Sequence, residues 1–120
     1  MNTYSFYQRA NLEPLWAKGE PDVVVIDVGS DSAGERIVMQ CRLKNDHIVE
    51  TRYKVKGCGH AIAACVWLSE KMIDGQWQQL TGQDAIAAVH LPEDKYHTAW
   101  LIEECVQALR KELQNDTNIR

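Results

Sequence analysis

The sequence predicts an α+β domain in which a three-stranded antiparallel sheet comes first and helices then pack on one of its faces. Three observations carry this. A β-branched run at 22–28 is followed by two more strand-length segments, 35–44 and 48–56. The last two are joined by Asn45-Asp46, residues that accept the left-handed conformation of a tight hairpin. Beyond Gly57 the pattern changes to helical spacing with helix caps. Strands followed by helices, without alternation, give a meander with helices on one side instead of a wound parallel sheet.

Taken in order, residues 4–16 form a mixed, partly helical lead-in interrupted at Pro14 and closed by Gly19 and Pro21, and mobility is expected over 1–21. The first strand ends in a loop of small residues, Gly29-Ser30-Asp31-Ser32-Ala33-Gly34. The second alternates, with Ile37, Met39, Cys41 and Leu43 on one face. Gly57-Cys58-Gly59 ends the third strand, and a helix is expected from His60 to Asp74, with Gly75 as its C-terminal cap. Residues 61–68 are apolar nearly all round, so the first two turns should be buried. Thr81 can cap a short helix through Val89, with Asp84 completing a capping box. After a linker at 91–95, a last helix is expected over 96–113, its inward stripe made by Leu101, Ile102, Cys105, Ala108 and Leu109.

Composition bounds the function. At 120 residues the chain is one domain, residues 1–120, and can bury a real core without disulfide staples. Hydrophobic residues at 45% and charged residues at 25% exclude disordered and disulfide-scaffold classes. The longest apolar stretch is far short of a membrane span, and the N-terminal residues lack the apolar core of a secretory signal. The expected location is therefore a reducing cytoplasm, where cysteines act as thiols, metal ligands or core filler. Net charge is −4, and the basic excess is confined to residues 51–75, which carry four Lys/Arg against two Asp/Glu. So narrow a window in an acidic chain argues against nucleic acid as a partner.

Cys58 is the most informative residue. It lies between two glycines, at a strand end and directly before a helix, where side-chain bulk is low and the helix N-terminus favours a thiolate. Arg52, Lys54 and Lys56 share one face of the strand leading to it. The alternative is a glycine turn with an incidental cysteine beside a solvated basic face. Cys41, Cys65 and Cys105 fall on apolar faces and read as core residues. His60 is a candidate neighbour of the Cys58 thiol, and His97 opens the last helix, while His47 and His90 read as solvent-facing. No Cys-x-x-Cys, His-Glu-x-x-His, Gly-x-Gly-x-x-Gly, phosphate loop or nucleophile elbow occurs, so neither a hydrolase nor a nucleotide-dependent enzyme is indicated.

Three segments together resemble the iron–sulfur cluster assembly scaffolds, the IscU proteins and the N-terminal domain of NifU, over about residues 22–113. Lys-Val-Lys-Gly57-Cys58-Gly59-His60-Ala61-Ile62-Ala63 is similar to the family's Gly-Cys-Gly-Ser-Ala-Ile-Ala segment. Leu91-Pro92-Glu93-Asp94-Lys95-Tyr96-His97-Thr98-Ala99-Trp100-Leu101 is similar to its Leu-Pro-Pro-Val-Lys-x-His-Cys-Ser-x-Leu segment. The loop from Gly29 to Glu35 falls where the family has Gly-Ala-Pro-Ala-Cys-Gly-Asp. Of the family's three cysteines, aspartate and histidine, only Cys58 and His97 match. Ala33 and Thr98 stand at the other two cysteine positions, and Glu35 at the aspartate. The resemblance thus implies a divergent member with an IscU/NifU-N/SufE-like fold and a reduced ligand set of Cys58, His97 and Glu35, with His60 as an auxiliary. Such a set can serve a single zinc or iron ion, but an iron–sulfur cluster takes four ligands, mostly thiolates.

The function that the resemblance implies is that of a non-enzymatic accessory protein of iron–sulfur cluster assembly, binding a metal ion or cluster or carrying sulfur through one thiol. The alternatives are a metal-free persulfide acceptor for a cysteine desulfurase and a docking module for an iron–sulfur client. The implied partners are a cysteine desulfurase or other assembly proteins, apoprotein clients, and an Hsp70-type chaperone. In the family that chaperone reads the segment represented here by Leu91, Pro92 and Lys95, with Glu93 and Asp94 departing from the pattern.

Overall fold

The computed structural model describes residues 3–11 and 13–119, the last five by backbone alone. A short helix α1 (Thr3–Gln8) precedes three strands, β1 (Val23–Ser30), β2 (Glu35–Lys44) and β3 (His47–Lys56), and three helices follow: α2 (Gly59–Ile73), α3 (Gly82–Val89) and α4 (Tyr96–Ile119). The sheet is antiparallel in the order β1-β2-β3, as expected. Helix α2 packs behind β3 and α4 behind β1, with α3 between them and α1 laid on α2. The hydrophobic core lies between the inner sheet face (Ile26, Ile37, Met39, Cys41) and the helices (Cys65, Leu68, Met72, Ile102, Leu109). Among the described residues no helix is long and apolar enough to cross a membrane.

The local signals set the joints. Asn45 and Asp46 both have positive φ, 53° and 66°, the conformation a two-residue hairpin loop needs to match strand twist. Gly75, at φ +77°, ends α2 with paired bonds from Gly75 N to Met72 O and from Gln76 N to Lys71 O, which satisfy carbonyls the helix would leave open. Thr81 and Asp84 form both bonds of a capping box at the start of α3. Most boundaries fall within a residue of expectation, and two differ by more. Strand β1 runs on to Ser30, because it stays paired with β2 down to Glu35, and α4 continues to Ile119. The linker contains a single 3-10 turn, Glu93–Lys95.

The lead-in crosses the outer sheet face, the side away from the helices. The guanidinium groups of Arg42 (4.6 Å) and Arg52 (4.4 Å) both lie over the Trp16 indole. The Gln40 amide clamps the Trp16 main chain, accepting from its N–H at 2.6 Å and donating to its carbonyl at 3.0 Å. Arg42 pairs with Glu20, and Arg52 donates to the Pro14 carbonyl. Residue 11 is tied to β3, its N–H donating to the Tyr53 hydroxyl and its side-chain amide to the Thr51 carbonyl. The segment for which mobility is expected makes all these contacts; its residues 1, 2 and 12 lie outside the described residues.

Three of the four cysteines are buried in the core. Cys41 Sγ lies 3.9 Å from Met72 Sδ. Burial pushes the thiols of Cys41 and Cys105 up to about 12, and that of Cys65 well above its ordinary value.

Two predictions follow from this packing. In the unfolded chain the thiols of Cys41 and Cys105 ionise near 9, so between pH 9 and 12 the unfolded state loses protons that the folded state keeps. Stability is therefore intact below about pH 9 and falls above it, by about 1.4 kcal/mol per pH unit for each thiol. Urea titrations from pH 8 to about 10.5 should show the decline, with a shallower slope for Cys105→Ala. The second concerns Gly29, at φ +81°, where a Cβ would collide with the Glu35 carbonyl oxygen. Gly29→Ala should cost about 2–4 kcal/mol of unfolding free energy, and an unchanged urea midpoint would contradict it.

Candidate functional site

The site forms where three chain segments converge at one end of the sheet. Gly29 and the turn at 31–34 deliver Glu35 to the first position of β2, in phase with Ile37, Met39 and Cys41 and therefore facing inward. Glu35 is 8% exposed. The β3–α2 junction closes over it: a Cβ on Gly57 would stand 3.3 Å from Glu35 Cγ and 3.2 Å from Ala61 Cβ, so glycine lets the junction lie against the carboxylate. The first turn of α4 supplies the third side. Thr98, fully buried, donates its hydroxyl to Glu35 Oε2 at 2.9 Å, and His97 Nε2 lies 3.4 Å from the same oxygen. Glu35 Oε1 is buried and has no hydrogen-bond partner.

Cys58 is the N-cap residue of α2, in extended conformation, and its side chain makes no capping bond. The thiol is therefore left free of the helix end, half-buried, with Sγ 3.9 Å from His60 Nδ1. Tyr7 of α1 packs its ring edge toward Gly59, 3.6 Å from where a Cβ would stand, so α1 borders the Cys58 loop.

The expected ligand set thus resolves into two pairs, Glu35 with His97 and Cys58 with His60. Among the described residues no group of three or more His, Cys, Asp or Glu side chains is placed to hold a metal ion. The donor chemistry agrees. Ala33 lies exposed in the turn and offers no ligating atom, and the Thr98 hydroxyl is spent on Glu35. A cluster ligated by four side chains of one chain does not fit these residues, and nothing in the arrangement favours zinc. Of the remaining positions singled out from the sequence, His47 and His90 are exposed, Leu91 is 5% exposed and part of the core, and Pro92 lies on the surface with Lys95 half-buried beside it. Arg36 and the strand cations Lys54 and Lys56, with Asp31, line an open depression of about 560 Å³ on the outer sheet face.

Thr98 was visible in the sequence only as a lost ligand, and its bond to Glu35 is new from the structure. The signal was present in both residues. Thr98 falls on the apolar stripe of α4 with Ile102 and Cys105, and Glu35 falls in phase with the core side of β2. Two inward-facing polar side chains must find partners, and here each is the other's.

The model of the NifU-like N terminal domain matches residues 7–117. Iron sulfur cluster assembly protein 1 of Trachipleistophora hominis is 28% identical over 106 residues, covering 85% of this chain and 76% of the relative. Iron-sulfur cluster assembly protein 2 of Arabidopsis thaliana is 33% identical over 111 residues, covering 84% and 66%. The iron-sulfur cluster assembly scaffold protein IscU of Escherichia coli (strain K12) is 30% identical over 86 residues, covering 68% and 66%. With nearly its whole length matched by the family model and the fold assembled as that family's, the chain belongs to the NifU-like N-terminal domain family of IscU-like scaffolds.

Proposed function

We propose that this chain serves iron–sulfur cluster assembly as an accessory protein, not itself an enzyme, in which Cys58 carries sulfur bound for a cluster. The observation that carries this reading is the sorting of the four thiols. Cys41, Cys65 and Cys105 are sealed in the core, while Cys58 stands half-buried between two glycines with no capping bond to hold it. Its chemistry balances without an oxidant. The Cys58 thiolate attacks the outer sulfur of a persulfide on a cysteine desulfurase, a sulfur–sulfur bond forms as the donor's sulfur–sulfur bond breaks, and the donor cysteine leaves as thiolate. His60 supplies the nearest ring nitrogen to take the thiol proton.

Incubation with a cysteine desulfurase and cysteine should add about 32 Da to the intact protein, the mass of one sulfur atom, mapped by digestion to Cys58. Cys58→Ser should take up nothing. Persulfide on another cysteine, or none under conditions that load an IscU scaffold, would overturn the proposal. Iodoacetamide on the native protein should likewise alkylate Cys58 alone, with the other three reacting only after denaturation.

A second reading has its own support. A buried carboxylate oxygen without a partner costs about 1–3 kcal/mol, and Glu35 Oε1 is such an atom. An iron(II) ion taken up at Glu35 would give that oxygen a partner, with His97, beside Oε2, as the second protein ligand and water for the rest. Anaerobic iron(II) titration should then saturate at one ion per chain and weaken at least tenfold in Glu35→Gln. Equal binding by both proteins would dismiss this reading and leave sulfur carriage standing.

A further inference from the structure

The end of the domain away from Cys58 carries an apolar surface that sulfur carriage does not use. Helix α2 starts at the Cys58 loop and runs 15 residues to Ile73, which puts its far end about 22 Å away at about 1.5 Å per residue. There the end of α2, the residues after Gly75 and the β2–β3 hairpin surround an open depression of about 630 Å³, within the size range of ligand pockets. Met72 and Trp77, 1% and 4% exposed, lie at its base. Val49 and Ile73 also line it, yet stay 45% and 49% exposed.

Local backbone features put those two side chains together. Arg42 stands opposite Glu50 and Leu43 opposite Ile48, so Val49 is the extra residue of a β-bulge. The bulge lets the consecutive residues Ile48 and Val49 both line the depression, where strict alternation would send one of them to the other face. Ile73 is the last residue of α2, fixed by the bonds from Asp74 N to Glu70 O and from Gly75 N to Met72 O that close the helix. Single exposed aliphatic side chains are ordinary, but two from different elements over a buried apolar base form a contiguous patch. The charged residues of the lining are both acidic, Asp46 and Asp74; no Lys or Arg lines it, and His47 is its other titratable group. Asp74 makes no ion pair among the described residues, and it stands at the carboxyl end of α2, where the helix dipole adds negative potential.

We propose that this depression docks a basic, aliphatic segment of a partner protein, with a bulky apolar side chain against Val49 and Ile73 and a Lys or Arg beside Asp74. Charge complementarity selects the occupant. An acidic lining repels nucleic acid and anionic membrane surfaces, and a two-fold copy of this chain seated here would set the same aspartates against each other. The apolar pair requires more than a bare cation, and the opening to solvent lets the main chain that bears the side chain continue past. Because the length of α2 separates the depression from the Cys58 loop, a partner held there leaves the thiol uncovered.

NMR titration of the labelled protein with three capped peptides tests this: one with two leucines between two lysines, one with glutamates for the lysines, and one with serines for the leucines. The basic, aliphatic peptide should shift the amides of Val49, Ile73 and Asp74 and the Trp77 indole, with a Kd below about 1 mM, the range open to so small a ligand. The other two should bind at least about tenfold more weakly. Ile73→Ser, at a half-exposed position, should weaken the basic peptide about fivefold by loss of apolar contact, and Asp74→Asn about threefold by loss of charge. Both variants should keep the wild-type circular dichroism. No shift of these signals with any peptide, equal binding of the acidic or the serine peptide, or binding undiminished in both variants would overturn the proposal. So would shifts centred on Cys58 and His97.

Discussion

Burying one carboxylate is the constraint around which the functional end of this domain is arranged. Glu35 begins β2 on the core side, and removing a carboxylate from water is costly unless hydrogen bonds replace the lost solvation. Thr98 supplies one such bond and His97 stands at the same oxygen, which requires α4 to start with its first turn directed at β2. The Gly57 junction packs over the carboxylate's stem, and that in turn fixes where α2 begins and where Cys58 is left. The placement of the thiol is therefore a consequence of how the acid is housed.

The same arrangement accounts for the functional reading. At the positions where its resemblance to the scaffolds implies further cysteines, this chain has an alanine in an exposed turn and a threonine whose hydroxyl is committed to Glu35. What remains is one accessible thiol with a histidine nitrogen 3.9 Å away, and a separate carboxylate–imidazole pair. A lone thiol can exchange sulfur, because that chemistry passes one atom between two sulfurs and requires no ligand cage.

The elements that were legible from the sequence are those set by local chemistry. The Asn45-Asp46 hairpin, the Gly75 helix end and the Thr81–Asp84 capping box each depend on residues within a few positions of one another. The stacking of Arg42 and Arg52 on Trp16, with its Gln40 clamp, joins residues 24 or more positions apart, and no spacing rule reports such a contact. The cations of β3 illustrate the limit: alternation put Arg52, Lys54 and Lys56 on one face, but only the fold shows that this is the outer face, where Arg52 is occupied by the lead-in and Lys54 and Lys56 line an open depression. In the candidate site, Cys58 and His97 stand in recognisable motifs, whereas the Glu35–Thr98 bond joins an inward position of β2 to one of α4, 63 residues away.

The central claim is that a single thiol carries the chain's cargo as sulfur. It is tested most directly by assaying sulfane sulfur, acid-labile sulfide and iron in protein purified without oxygen from cells making the desulfurase, beside Cys58→Ser. The account predicts sulfane sulfur approaching one atom per chain that disappears in the variant, with acid-labile sulfide no higher in the wild type than in the variant. Acid-labile sulfide and iron in equal, stoichiometric amounts, or sulfane sulfur that survives loss of Cys58, would contradict it.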